Sequence, residues 1–281
     1  MPVLTEPAAE PVVASAPMPA PDAIAPVAAA TPIAPAAPSV PGADGRPAAN
    51  GASKGRRRPR NKRRTGRRLF QFDRGLGVRW IAGADEAGRG CLAGPLAAAA
   101  VLFDMEALGV REVRALSALN DSKQHDPEAR EELYPVVMRT AVKVVVVSRC
   151  VRGIDGYGLH KTNLAALRDA LATVARPGCL CLVDGFRVPD CGHQQEHVID
   201  GDARSAVIAA ASVVAKVTRD RYMLRAAEAL PGWHFHTNVG YSTPEHRAAI
   251  QERGISDLHR RSFQSIAYQQ LGILEAGGQV G

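Results

Sequence analysis

The sequence predicts an α/β fold, a mixed β-sheet flanked by helices, preceded by an extension with no core of its own. Two observations carry this. From Arg79 onward, short apolar runs alternate with longer amphipathic ones, the pattern of strands connected through helices. Before that, residues 1–50 hold twelve of the twenty prolines, set among alanines with hardly a charge. No apolar periodicity survives there, and nothing offsets the entropy of ordering, so residues 1–53 are expected to be disordered.

The elements follow in order. Trp80–Ala84 and Leu96–Phe103 read as strands joined by the glycine-rich turn AGRGCLAGP. Asp126–Thr140 opens with Asp–Pro and reads as a helix, with a kink or break expected at Pro135. Val142–Ser148 is a β-branched strand, and Leu159, Leu164, Leu167 and Leu171 mark a helix across Gly158–Ala175. Cys179–Val183 and Glu196–Ile199 are further strands. Ala203–Leu230 is a long helix whose small residues Ala206, Ala209, Ala210 and Ala215 suit close packing. Thr243 caps a last helix with Pro244 at its first position, and Gly254 closes it.

The net charge of +7 over 281 residues is unevenly spread. Residues 1–53 contribute −3 and residues 54–68 contribute +10, so residues 69–281 sum to about zero. The run Lys54–Arg68 is therefore a basic arm, suited to releasing counterions from nucleic acid, and residues 69–281 form one well-buried domain. The five cysteines show no C-x-x-C spacing; Cys179 and Cys181 share a strand face, and buried, reduced thiols are expected. No apolar run of 18 residues occurs and no secretory leader is visible, which points to a soluble, cytoplasmic protein without membrane contact.

Carboxylates that do chemistry belong at strand ends beside glycines, where backbone can approach a ligand. Asp85 and Glu86 leave the first strand and run into Gly88-Arg89-Gly90; Asp184 leaves the strand CLCLV before Gly185; Asp202 stands at the mouth of the long helix. Any one alone is an ordinary cap or turn. Together, a sheet that gathers strand ends at one rim would let them converge. Two carboxylates about 4 Å apart repel by roughly 4 kcal/mol at an effective dielectric near 20, so such a cluster calls for a counter-cation. Hard oxygen ligands without His or Cys suit Mg²⁺ or Mn²⁺, and two such ions suit phosphodiester cleavage.

Six blocks in order, G-A-D-E-A-G-R-G-C-L-A-G-P-L (83–96), L-N-D-S-K (119–123), V-D-G (183–185), G-D-A-R-S-A-V-I-A-A-A-S-V-V-A-K-V-T-R-D-R (201–221), G-Y-S-T-P-E-H (240–246) and H-R-R-S-F (259–263), resemble ribonuclease HII. The resemblance implies a ribonuclease H-like sheet with a C-terminal helical segment. It also implies an endonuclease that cuts the RNA strand of RNA–DNA hybrids and 5′ of ribonucleotides in duplex DNA, acting as a monomer. It places the acidic site on Asp85, Glu86, Asp184 and Asp202. Gly88, Arg89 and Gly90 are implied to meet the ribonucleotide 2′-hydroxyl, and Tyr241 to stack on the following sugar. Lys123, Lys216 and Arg219 are candidate phosphate contacts. Cys91 stands where proline is common, and Asp200 where lysine is; by register, Asp202 rather than Asp200 faces the metal. Two alternatives remain: a ribonuclease HIII-like enzyme, and an inactive nucleic-acid-binding protein that uses the basic arm.

Overall fold

The computed structural model describes residues 12–13, 62–119 and 126–263. Its sheet is built from β1 (Val12–Val13), β2 (Trp80–Ala87), β3 (Leu96–Asp104), β4 (Lys143–Arg149), β5 (Cys179–Asp184) and β6 (Gln194–Val198), in spatial order β1-β4-β3-β2-β5-β6. β2 pairs antiparallel with β3 and β3 with β4, whereas β2–β5, β5–β6 and β1–β4 are parallel. The mixed sheet is thus as the sequence predicts. Within the extension, the two valines of β1 align with Val145 and Val146 of β4.

The helices are α1 (Lys62–Gly75), α2 (Val110–Ala115), α3 (Pro127–Thr140), α4 (Val151–Tyr157), α5 (Leu159–Val174), α6 (Ala206–Ala229), α7 (Phe235–Asn238) and α8 (Pro244–Arg253). One core lies on the sheet face covered by α6, where Ile81, Val101, Phe103, Leu180 and Leu182 meet its alanines and valines. A second lies on the face covered by α5, around Ala84, Leu102, Val147, Leu167 and Leu171. β3 is buried along its whole length, which explains why its sequence runs apolar without alternation.

The small-residue face of α6 has a clear geometric cause. A Cβ at Gly83 on β2 would stand 2.3 Å from the Val207 carbonyl carbon, so helix backbone rests directly on strand backbone. Four sequence expectations need correction. Pro135 does not break α3: both it and Glu131, whose carbonyl it leaves without a helical donor, are on the exposed side of the helix. The long helix starts at Ala206, not Ala203, because Ser205 caps it and Gly201–Ala203 form a separate 3₁₀ turn. The basic run is not wholly a linker, since α1 begins at Lys62 and buries Leu69, Phe70 and Asp73. Among the free cysteines four are buried, but Cys150 is exposed at the start of α4.

Candidate active site

The site grows from the central strand pair. Parallel register sets Ala84 beside Val183, so the next pair along is Asp85 and Asp184, on strands about 4.8 Å apart. Strand alternation puts both on the face of Gly83 and Leu182, under α6. Asp85 is only 8% exposed; it accepts the Glu86 amide at 2.7 Å and a hydrogen bond from Ser212 of α6. Burial, above all, and then the neighbouring charges of Glu86 and Asp184 hold its carboxyl well above the ordinary aspartate range; the two hydrogen bonds pull the other way.

Asp184 accepts the Gly201 amide at 2.7 Å. That bond docks the 3₁₀ turn on the end of β5, and Asp202, one residue on, is buried. Asp200 is exposed and left-handed, with φ of 53°, so the turn sends Asp202 inward and Asp200 to solvent. Glu86 lies across β3 from Ala98, on the opposite sheet face from Asp85, and its Oε1 is 3.6 Å from Arg89 Nη1. Among the described residues, no three His, Cys, Asp or Glu side chains form a ready-made metal cage. What stands at the rim is the pair Asp85–Asp184, with Asp202 in the adjoining turn and Glu86 across the strand.

The glycine-rich loop is shaped from beneath by two buried guanidinium groups. Arg219 Nε donates to Pro95 O at 3.0 Å, its Nη2 to Ala93 O at 3.0 Å and its Nη1 to Val239 O at 2.9 Å. Arg260 donates to Gly94 O at 2.8 and 3.0 Å, to Pro95 O at 3.2 Å and to Arg89 O at 2.9 Å. The sequence offers Arg219 as a phosphate contact, but its guanidinium is spent on carbonyls inside the protein. Gly88, with φ of 87°, lies so close to it that a Cβ would come within 2.0 Å of Arg219 Nε. Arg89 and Gly90 are exposed at the loop tip, Gly90 with open space around it and Arg89 packed 5.2 Å from the Phe186 ring.

Tyr241 faces the same region, 38% exposed. Its ring lies 5.0 Å from Lys216 Nζ, and its hydroxyl pairs with the Cys91 thiol. Burial, first, and the nearby thiol push the phenol up to about 12, so it stays protonated at neutral pH. Lys216 is half in use, with Nζ 2.6 Å from Asp220 Oδ1, and burial lowers its pKa despite that partner. Gly240 O accepts from Leu92 N at 2.9 Å, which joins the tyrosine segment to the glycine loop. Lys123 lies outside the described residues.

The same residues that define this rim fall within the span 82–266, which matches the family model for ribonuclease HII. The chain belongs to the ribonuclease HII family. A ribonuclease HII of Rhizobium leguminosarum is 47% identical over 189 residues, covering 66% of this chain and 78% of that protein. One from Nocardia farcinica is 46% identical over 200 residues, covering 71% and 76%. Membership makes the chain an endoribonuclease, a phosphodiester hydrolase of the ribonuclease H type. Solved structures agree on the fold. Ribonuclease H2 from Pyrococcus horikoshii superimposes with a TM-score of 0.58 at 23% identity, covering 68% of this chain and 96% of that one. Bst-RNase HIII in complex with Mn²⁺ does so with a TM-score of 0.54 at 20% identity, covering 74% and 73%.

Sequence reasoning missed three supports of the ribonuclease HII site. Asp73 of α1 accepts the Ala206 and Val207 amides at 2.8 and 3.1 Å, capping the helix that covers Asp85. The Arg219–Arg260 clamp and the pair His246 and His259, with Nε2 atoms 3.1 Å apart, are the others. The sequence offers Arg219 as a phosphate contact and His259 and Arg260 as residues of a loop-to-helix junction with a structural role, but names none of their partners.

Proposed function

We propose that this enzyme cuts the RNA strand of RNA–DNA hybrids and hydrolyses duplex DNA on the 5′ side of an embedded ribonucleotide, leaving 3′-hydroxyl and 5′-phosphate ends. The observation that carries the reading is the pair of buried Asp85 and half-buried Asp184 at the strand rim, with an exposed glycine tip and an exposed tyrosine held beside it.

The donor set fits hard divalent ions. Asp85 is buried among like charges, which a cation would relieve, and Mg²⁺ commonly takes one or two carboxylates and completes its shell with water and substrate phosphate. An all-protein cage is therefore not required. Asp85, Glu86, Asp184 and Asp202 would hold Mg²⁺ or Mn²⁺, two ions at the point of cleavage. Bound there, the metal supplies Lewis-acid polarisation of the phosphodiester and of the attacking water.

The protein's own residues set where the cut falls. Backbone groups of Gly88, Arg89 and Gly90 receive the 2′-hydroxyl, which is what distinguishes RNA from DNA at one position. A site built to pair a hydroxyl rejects the deoxy analogue by about 10⁴–10⁵. Tyr241 stacks on the following sugar and favours deoxyribose there, while Lys216 beside it, and Lys123, meet phosphate. The basic residues 54–68 extend contact along the duplex, and the enzyme acts as a cytoplasmic monomer.

The test is a duplex carrying one ribonucleotide, incubated with Mg²⁺ or Mn²⁺ and mapped at nucleotide resolution. A single cut 5′ of the ribonucleotide is expected, with an all-DNA duplex left intact. Cleavage on the 3′ side, or of both duplexes alike, overturns the reading.

A further inference from the structure

Two buried histidines stand behind Tyr241, His246 in the first turn of α8 and His259 in the segment after it, with Nε2 atoms 3.1 Å apart. One proton fits between them, and the outer partners decide whose it is. His259 Nδ1 faces the Ser256 main-chain N–H at 2.9 Å, a group that can only donate, so Nδ1 accepts and the His259 proton sits on Nε2. That N–H donates to His246 Nε2. The His246 proton is then on Nδ1, which donates at 2.8 Å to the Tyr241 carbonyl, a group that can only accept. The Ser256 hydroxyl, 2.8 Å from the same Nδ1, donates alongside the amide. All three links agree; the reverse order sets N–H against the Ser256 amide N–H, with only the hydroxyl able to turn and accept, and lone pair against lone pair at Tyr241.

This directional chain joins two halves of the site. The Tyr241 carbonyl is its end, held also by the Thr243 amide at 2.8 Å. Its other end is woven into the glycine loop: His259 bridges Ala93, Leu258 O accepts from Gly94 N at 2.8 Å, and Arg260 N donates to Leu92 O at 2.9 Å. Phe235 packs edge-on against His246 at 5.5 Å and Trp233 lies 6.1 Å from His259, so aromatic walls keep the rings in place.

We propose that His246 and His259 are positioning residues that fix Tyr241 relative to the glycine loop and so determine how sharply the enzyme prefers deoxyribose after the ribonucleotide. The inference rests on the stacking reading of Tyr241 given above.

The experiment uses the full chain and compares kcat/KM for a duplex with a single ribonucleotide against one with a continuous RNA strand. His246→Asn places its amide N–H where Nδ1 stood and keeps the Tyr241 bond; His246→Gln places its amide at the Nε2 position and loses it. His246→Asn is expected to hold the ratio within about twofold and His246→Gln to lower it about tenfold, the effect of one hydrogen bond of roughly 1.4 kcal/mol. Equal ratios for the two variants overturn the proposal. Tyr241→Ala separates the two readings: if it leaves the ratio unchanged, the stacking role itself is wrong; if it lowers the ratio while the histidine variants match wild type, only the present inference falls. Should either variant fail to fold, ¹⁵N shifts of the wild-type imidazoles decide, with Nε2–H at His259 and Nδ1–H at His246 expected and the opposite pair of tautomers contradicting it.

Discussion

Replacing Arg260 with methionine keeps most of the side chain's length and removes its guanidinium. Four hydrogen bonds go with it, to Gly94 O twice, Pro95 O and Arg89 O, all made by a side chain with no solvent exposure. Pro95 O keeps Arg219 Nε at 3.0 Å, so the carbonyls of Gly94 and Arg89 bear the loss. A hydrogen bond to a charged group contributes about 1.5–3 kcal/mol, and stranding two acceptors gives a destabilisation of about 3–6 kcal/mol. Against a total stability of about 5–15 kcal/mol, the variant stays folded at low temperature but is much weakened. Urea unfolding followed by tryptophan fluorescence measures this directly, with a lower midpoint and an unchanged slope expected. Arg260→Lys should recover little, because one ammonium cannot reach carbonyls that a planar fork spans. Activity on the single-ribonucleotide duplex should fall further than stability explains at a temperature where the variant is folded, since Arg89 is one of the residues released. A loss below about 1 kcal/mol would show that the loop does not depend on this guanidinium.

Asp85→Asn should abolish cleavage and leave hybrid binding within a few-fold of wild type, read by single-turnover cleavage and by binding at equilibrium; normal cutting removes Asp85 from the mechanism. Deleting residues 1–61 removes Lys54, Arg56, Arg57, Arg58 and Arg60 but spares α1, so the slope of log affinity against log salt should shrink while low-salt turnover persists. An unchanged slope makes the arm a bystander. Asp73 is held at about 7 by burial, against 3.8 unfolded, so its favourable contribution is complete below about pH 3.8 and is lost as pH rises through about 7. The stability of wild type relative to Asp73→Asn should therefore decline between those limits and level off above them; a flat difference contradicts it.

The sequence announces the parts of this molecule whose signals are local. Strands show as apolar runs, the α6 packing face as spaced alanines, and the α8 cap as Thr243-Pro244, because each depends on residues within a turn or a strand. Asp85 and Asp184 stand out because a carboxylate beside glycine at a strand end is chemically conspicuous. α1 was hidden because its cations mask the core residues Leu69 and Phe70, and α2 because none of its six residues is buried. In one dimension Arg219 looks like a phosphate ligand or a solvated charge, and Arg260 like part of a loop-to-helix junction with a structural role but no named partner. Apart from Val239 O, their partners are carbonyls in a loop more than a hundred residues away, and only the folded chain brings them together. Asp184's link to Gly201 is likewise tertiary: it is what turns Asp202 inward and leaves Asp200 in solvent.

The most direct measurement is a Mn²⁺ titration followed by electron paramagnetic resonance, on wild type and Asp184→Asn, each bound to an uncleavable duplex with a 2′-hydroxyl at the target position. Two bound ions per wild-type chain and loss of at least one in the variant are expected. The same stoichiometry and affinity in both proteins would mean that these carboxylates do not hold the metal.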